Sequence, residues 1–199
     1  MLRKTIAMAA VFVTVLAAGA SAQEDGSPRY SFYTAIETGY EFFAKTYRHS
    51  GHCIDFNSRY YFGDRVYGAF LLHGGFYSGG RRASYESGGT VRETRLRNEL
   101  NEWMAAVGAG LDLYRSTTGR SAVYLTGTVG YGQNTEEKEV LAAGSESRFD
   151  RKHKGFAAAI SSGYDFKPAG WFIFGAAVNG YYIGDRVNFA ANVRLGLVF

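Results

Sequence analysis

The sequence has a single cysteine, Cys53, in 199 residues, which excludes an intrachain disulfide and any fold stapled by one. Proline is nearly absent, with two residues, too few for a proline-rich linker or low-complexity chain. Charge of neither sign predominates: 22 Lys+Arg stand against 18 Asp+Glu. Long apolar runs are also missing beyond the N-terminus, and a mean hydropathy of -0.17 is too polar for a bundle of membrane helices. Charged residues make up 20% of the chain, which excludes a disordered tail. What is abundant is aromatic and small: 15 Tyr, 15 Phe, 2 Trp and 26 Gly. Together these describe one β-rich domain with a short appendage.

The appendage is N-terminal. Arg3 and Lys4 precede an uncharged apolar stretch over residues 6–16, and Ala20-Ser21-Ala22 reads as a small-residue cleavage site before Gln23. Residues 1–22 are therefore expected to be a cleaved signal peptide, since the stretch is short against the roughly 20 residues of a membrane-crossing helix. The cleavage site is followed directly by Gln23, with Cys53 far downstream, so a lipoprotein is not expected. Residues 23–29 are expected to form a short periplasmic lead and 30–199 the folded domain. Without Arg3 and Lys4 the basic count falls to 20 against 18 acidic residues, too mild an excess to imply nucleic acid as a partner.

After residue 29 the pattern has period two almost throughout. Phe32, Ile36, Tyr40 and Phe42 share one face, with Ala35, Glu37, Gly39 and Glu41 on the other. Seven similar sets follow, led by Ile54, Val66, Trp103, Val123, Phe156, Phe172 and Val187. Eight segments, most of them 9–11 residues long, predict an all-β fold: an eight-stranded antiparallel up-and-down transmembrane barrel. The connections alternate in length. Short turns at Gly63-Asp64, 115–120 and 167–170 alternate with longer loops at 44–51, 77–102 and 134–154, and only Ile183-Gly184-Asp185 is tight on the long-loop side. Leu96 and Leu100 alternate with charges beyond Trp103, so strands three and four are expected to continue outward as a ribbon. Tyr60-Tyr61-Phe62-Gly63-Asp64-Arg65-Val66 nearly repeats as Tyr181-Tyr182-Ile183-Gly184-Asp185-Arg186-Val187, which predicts the same positive-φ hairpin used twice.

Aromatics gather at both ends of the segments, as in the interfacial girdles of lipid-facing barrels. The chain resembles the small eight-stranded outer-membrane barrels of the OmpA/OmpX type. The resemblance rests on the signal peptide, the eight segments and the alternating end Val193-Arg194-Leu195-Gly196-Leu197-Val198-Phe199. It covers essentially all of 30–199 as a pattern, barrel only, with no periplasmic domain expected after it. It implies location in the outer membrane of a Gram-negative-type bacterium, contact with outer-membrane lipids and lipopolysaccharide, and Phe199 as the assembly signal read by the barrel-assembly machinery.

Three groups of residues are candidates for function. The inward face carries Glu37, Glu41, Asp55, Arg59, His73, Asp112, Asp165, Asn179, Asn192 and Arg194, with Asn57 and Asn188, facing small residues from strands four to seven. These are expected to form a structural network in which Arg59 and Arg194 neutralise carboxylates such as Glu37 and Asp55. The alternative is a narrow path for ions or small solutes. The histidines, His49, His52, His73 and His153, are expected toward the outer rim. There they could serve a lipid A deacylase, but no serine pairs with them at a recognisable spacing. Neither an enzyme nor a cofactor is expected, and His49, His52 and Cys53 lack a fourth ligand for a metal. The long loops form the third group, with Arg81, Arg82, Arg92, Arg95 and Arg97 as a basic surface for phosphates, acidic sugars or a surface protein partner. The expected role is structural or surface-binding, through these loops.

Overall fold

In a computed structural model, which describes residues 32–44, 50–87, 90–142 and 145–199, the chain forms eight strands. They are β1 Phe32–Ala44, β2 Ser50–Tyr61, β3 Val66–Ser87, β4 Thr90–Arg115, β5 Ser121–Ala142, β6 Ser145–Ala169, β7 Phe172–Ile183 and β8 Arg186–Val198. Each pairs antiparallel with its sequence neighbour, and β1 closes the ring against β8, from Tyr33↔Val198 to Ala44↔Val187. The expected signal peptide and the lead lie outside the described residues.

Alternation decides which side chains face out. Burial along β8 switches at every residue, Val193, Leu195 and Leu197 being exposed while Asn192, Arg194 and Val198 are buried. The exposed rows are aliphatic at mid-height, with Ile36, Ile54, Leu72, Val129, Ile160 and Val178, and aromatic at both ends. Tyr40, Phe76, Trp103, Tyr131, Phe156 and Tyr182 ring the upper end; Tyr114, Phe166, Trp171 and Phe199 ring the lower. Water would strip such a surface of stability, whereas lipid solvates it, and closure pairs every strand edge as hydrocarbon requires. Both described ends of the chain lie together at the lower end, Phe199 N–H donating to Phe32 O at 2.9 Å.

Four strands are much longer than the sequence pattern suggests. β1, β2, β7 and β8 have 12–13 residues, enough at about 3.3 Å each to cross a bilayer when tilted. β3 to β6 have 22–26. The segments 77–102 and 134–154, expected as loops, are instead mostly strand: β3–β4 pairing continues to Ser87↔Thr90, β4–β5 to Arg95↔Leu141 and β5–β6 to Ala142↔Ser145. The ribbon expected from strands three and four is thus a four-stranded sheet that also includes β5 and β6. It rises above the upper girdle, while β7 leaves β6 at Ala157↔Ile183.

The repeated hairpin sequence makes two different turns. Gly184 adopts φ +68° in a two-residue connection between the paired Ile183 and Arg186. Gly63 has no such φ and sits in a wider bend closed by Phe62 N–H donating to Val66 O at 3.0 Å.

Candidate functional site

The lumen is filled by side chains in tiers. Large residues face glycines: a Cβ on Gly110 would lie 2.5 Å from ring atoms of Tyr67, and one on Gly163 2.5 Å from the Tyr124 hydroxyl. The lower tier holds the two guanidinium groups. Arg59, on β2, pairs with Asp165 of β6 at 3.1 Å; Arg194, on β8, pairs with Glu37 at 3.2 Å and Asp165 at 3.6 Å and donates to the Tyr33 hydroxyl. The rings of Tyr33 and Tyr124 lie against both groups and that of Tyr67 against Arg59, the Arg59 guanidinium carbon lying 3.7 Å from the Tyr124 centroid. Two cations thus meet two carboxylates, sheathed in aromatic faces, an arrangement that makes burial of charge tolerable. The partners correct one expectation: Arg59 neutralises Asp165, not Glu37 or Asp55. Asp112 lies nearer the lower mouth, held by Arg115 Nε at 3.0 Å and by Tyr61.

The upper tier is organised around His73. Its Nδ1 lies 2.6 Å from Asp55 Oδ1, and its ring stacks on Tyr181 with centroids 4.0 Å apart. Its Nε2 faces Glu102 Oε1 at 3.2 Å and Glu41 Oε1 at 3.7 Å. Asp55 Oδ2 accepts from the Tyr181 hydroxyl at 2.5 Å and Asn192 Nδ2 at 3.0 Å. Asn179 Nδ2, 3.2 Å from both Asp55 and Glu37, joins the two tiers. Cys53 is buried and directs Sγ to Asn192 Oδ1 at 3.2 Å. Above this tier Arg186 of β8 crosses the mouth to Glu136 of β5 at 2.6 Å. Beside Asn57, Thr126 and Asn179 remains a cavity of only about 10 Å³, room for one water.

Several of these residues escape the sequence reading. Glu102 and Glu136 fall in segments taken as loops, although both share the inward parity of their strands. Tyr33, Tyr67, Tyr124 and Tyr181 are inward by parity too, but they are not among the candidate residues read from the sequence. The histidines separate: His73 is buried in the lumen, and His52 points outward, edge-on to Tyr40 at 5.4 Å. His153 lies 4.0 Å from Asp185, and His49 is outside the described residues. His52 and Cys53 occupy opposite faces, so they do not converge. Both hydrogen-bond partners of the His73 ring nitrogens are carboxylates.

The extended sheet has two faces. Its outer face continues the lipid-facing one and presents Arg97, Glu99, Glu137, Glu139 and Arg148 around a groove of about 230 Å³. Arg97 binds Glu99 at 2.6 Å and Arg148 binds Glu137 at 2.6 Å. Glu137, then Asp150, raises the Arg148 pKa above its ordinary value. Arg97 therefore stands in a face where both signs of charge are present. Arg81 pairs in register with Leu96, Arg82 with Arg95 and Tyr85 with Arg92; the side chains of these arginines lie outside the described residues. The inner face, above the mouth, carries Lys138 and the exposed Phe149.

A closed ring of eight antiparallel strands with apolar rows outside, aromatic girdles and a packed polar lumen is the fold of the small eight-stranded outer-membrane β-barrels. No family model matches the sequence, and no curated protein matches it. Among solved structures the chain is similar to Ail, the attachment invasion locus protein of Yersinia pestis, in complex with the heparin analogue sucrose octasulfate. The TM-score is 0.55 at 14% identity, covering 85% of this chain and 99% of that one. A second structure of Ail from Yersinia pestis gives a TM-score of 0.51 at 14% identity, covering 84% and 98%. Neisserial surface protein A gives 0.49 at 11% identity, covering 85% and 97%.

Proposed function

We propose that the protein is an integral outer-membrane barrel that acts by binding at the cell surface, through the extension of β3 to β6. The observation that carries this reading is the extension itself. The short strands already span a bilayer, so neither insertion nor turn closure accounts for roughly ten further residues in each long strand. With both termini periplasmic, the extension stands outside the cell. Its outer face, continuous with the lipid-facing surface, lies against the sugar–phosphate layer of lipopolysaccharide, and its paired charges suit a partner bearing both signs. A surface protein is the second partner class this sheet suits. The capture of Ail with a sulfated sugar analogue supports a binding role for this fold. Two carboxylates at the His73 nitrogens, where an acyl-transfer enzyme would place a hydroxyl, support a non-enzymatic reading.

The test is to shorten both hairpins in register, removing 83–94 and 139–148. The expected result is a barrel that still inserts but retains less lipopolysaccharide on purification and loses binding of cells to surfaces. Unchanged lipopolysaccharide retention together with unchanged surface binding would overturn the reading. We further propose that β8, with Phe199 after it, is the assembly signal; removing Phe199 should lower assembly in cells while leaving refolding in detergent intact.

A further inference from the structure

We propose that Glu41, His73 and Glu102 form a site for one divalent cation of the zinc or manganese class inside the barrel, beneath the Glu136–Arg186 pair. The three residues come from β1, β3 and β4, and one ligand atom from each lies within 4.8 Å of the others. Nε2 of His73 is 3.2 Å from Glu102 Oε1 and 3.7 Å from Glu41 Oε1. Ligands about 2.1 Å from a tetrahedral ion stand about 3.4 Å apart, so the two spacings from His73 bracket the requirement.

The independent observation is Glu41. It is fully buried, and among the described residues no N–H or hydroxyl donor reaches either of its carboxylate oxygens or Glu102 Oε2. A buried carboxylate without a donor is costly, and Glu41 lies here beside a second acid, Glu102, one of whose oxygens is also unmatched. The arginines do not relieve them, being engaged with Glu37 and Asp165 in the tier below. Three carboxylates, Glu41, Asp55 and Glu102, therefore share a single imidazole. With its Nδ1 proton held by Asp55, the imidazole would turn its Nε2 lone pair toward the other two carboxylates. In that tautomer electron-rich atoms face one another across a gap that a cation would bridge. A proton on Nε2 would serve one carboxylate and leave Glu41 bare.

The surroundings suit a metal. Carboxylate–imidazole–metal relays orient ligating histidines in this way, and Asn188 Nδ2 fixes Glu102 Oε1 at 2.6 Å. Gly75 lies beneath both acids: a Cβ there would sit 2.5 Å from Glu41 Oε2 and 2.8 Å from Glu102 Cγ. One imidazole with two carboxylates and no thiolate selects a borderline ion, with water in the remaining position. The oxygen-rich, six- to eight-coordinate shell of calcium is not met. Bound there, the ion staples three strands across the lumen.

The test is to refold the full chain in detergent with zinc or with manganese, dialyse against buffer, and count bound metal by mass spectrometry. Folding is verified by the mobility difference between unboiled and boiled samples. One equivalent is expected in the wild type, with a zinc X-ray absorption spectrum showing a single imidazole among oxygen donors. Glu41→Gln and Glu102→Gln should abolish retention, and Asp55→Asn should weaken zinc binding roughly 10- to 100-fold. Glu136→Gln should change nothing. Failure of folded wild type to retain either metal would overturn the proposal in favour of protons shared between the acids. Retention unchanged in both glutamate variants, or a spectrum without imidazole, would overturn it by placing the metal elsewhere.

Discussion

Arg59 and Asp165 meet across the lumen from β2 and β6, both nearly inaccessible to water. Replacing Arg59 by Leu removes this contact and leaves Asp165 with Arg194 at 3.6 Å as its remaining paired arginine. The expected cost is about 3–5 kcal/mol, because Glu37 and Asp165 are left to share one buried guanidinium and one carboxylate charge goes uncompensated. It would be read as a lower urea midpoint for loss of the heat-modifiable form, and Asp165→Asn in the same chain should restore part of it. Equal midpoints for wild type and Arg59→Leu would show that the tier is wet. Glycines give a second contrast. Gly110→Ala drives a methyl into Tyr67 and should cost about 1–3 kcal/mol. At Gly127, where no atom lies within 4 Å, the same change should stay within about 0.5 kcal/mol. The face each side chain takes was legible in the sequence, because parity alone assigns it. The partner was not. Asp165 reaches Arg59 through the stagger and tilt of strands far apart in sequence, which period two does not encode.

At the scale of elements, the number, order and pairing of the strands were legible, and the upper ends of four of them were not. Alternation is visible only where one face meets lipid and the other the lumen. Above the girdle both faces of β3 to β6 meet water, so the apolar–polar contrast that marks a strand disappears while its hydrogen bonds continue. Glu102 was lost to the site for this reason: it sits beside Trp103 at the last residue before the contrast fades. The near-repeat of the hairpin sequence fails for a related cause, since turn geometry depends on how the flanking strands pair as well as on Gly-Asp itself. Gly184→Val should therefore cost about 1–2 kcal/mol, its left-handed φ and the nearby Asn134 and His153 both resisting a side chain. Gly63→Val should cost less than about 0.5 kcal/mol. Equal losses at the two sites, measured by the same urea midpoints, would contradict the two turn geometries.

For the whole molecule, closure and a filled interior dominate. Closure makes the folded barrel resist detergent until it is heated, so unboiled and boiled samples are expected to migrate differently on electrophoresis, and a single unchanged mobility would be incompatible with the ring. The filling has its own consequence. With the guanidinium tier, the His73 tier and the Glu136–Arg186 pair stacked along the axis, planar bilayers containing the wild type are expected to show no stable large conductance. Sustained large channels would require these tiers to part and would move the assignment toward a pore.

The unequal strands give the molecule a front and a back. On the β7–β8 side the barrel ends almost level with its girdle at Gly184 and Asp185, whereas β3 to β6 stand above it as a wall. A wall on part of a rim has two addresses. Its outer face is met by whatever lies beside the barrel in the same leaflet, moving laterally at membrane density. Its inner face, which carries the exposed Phe149, is met by what arrives from solution over the low side of the rim. Rotating the barrel about its own axis therefore changes what each neighbour touches, and two copies side by side present the same face to each other only when a two-fold rotation about the membrane normal relates them.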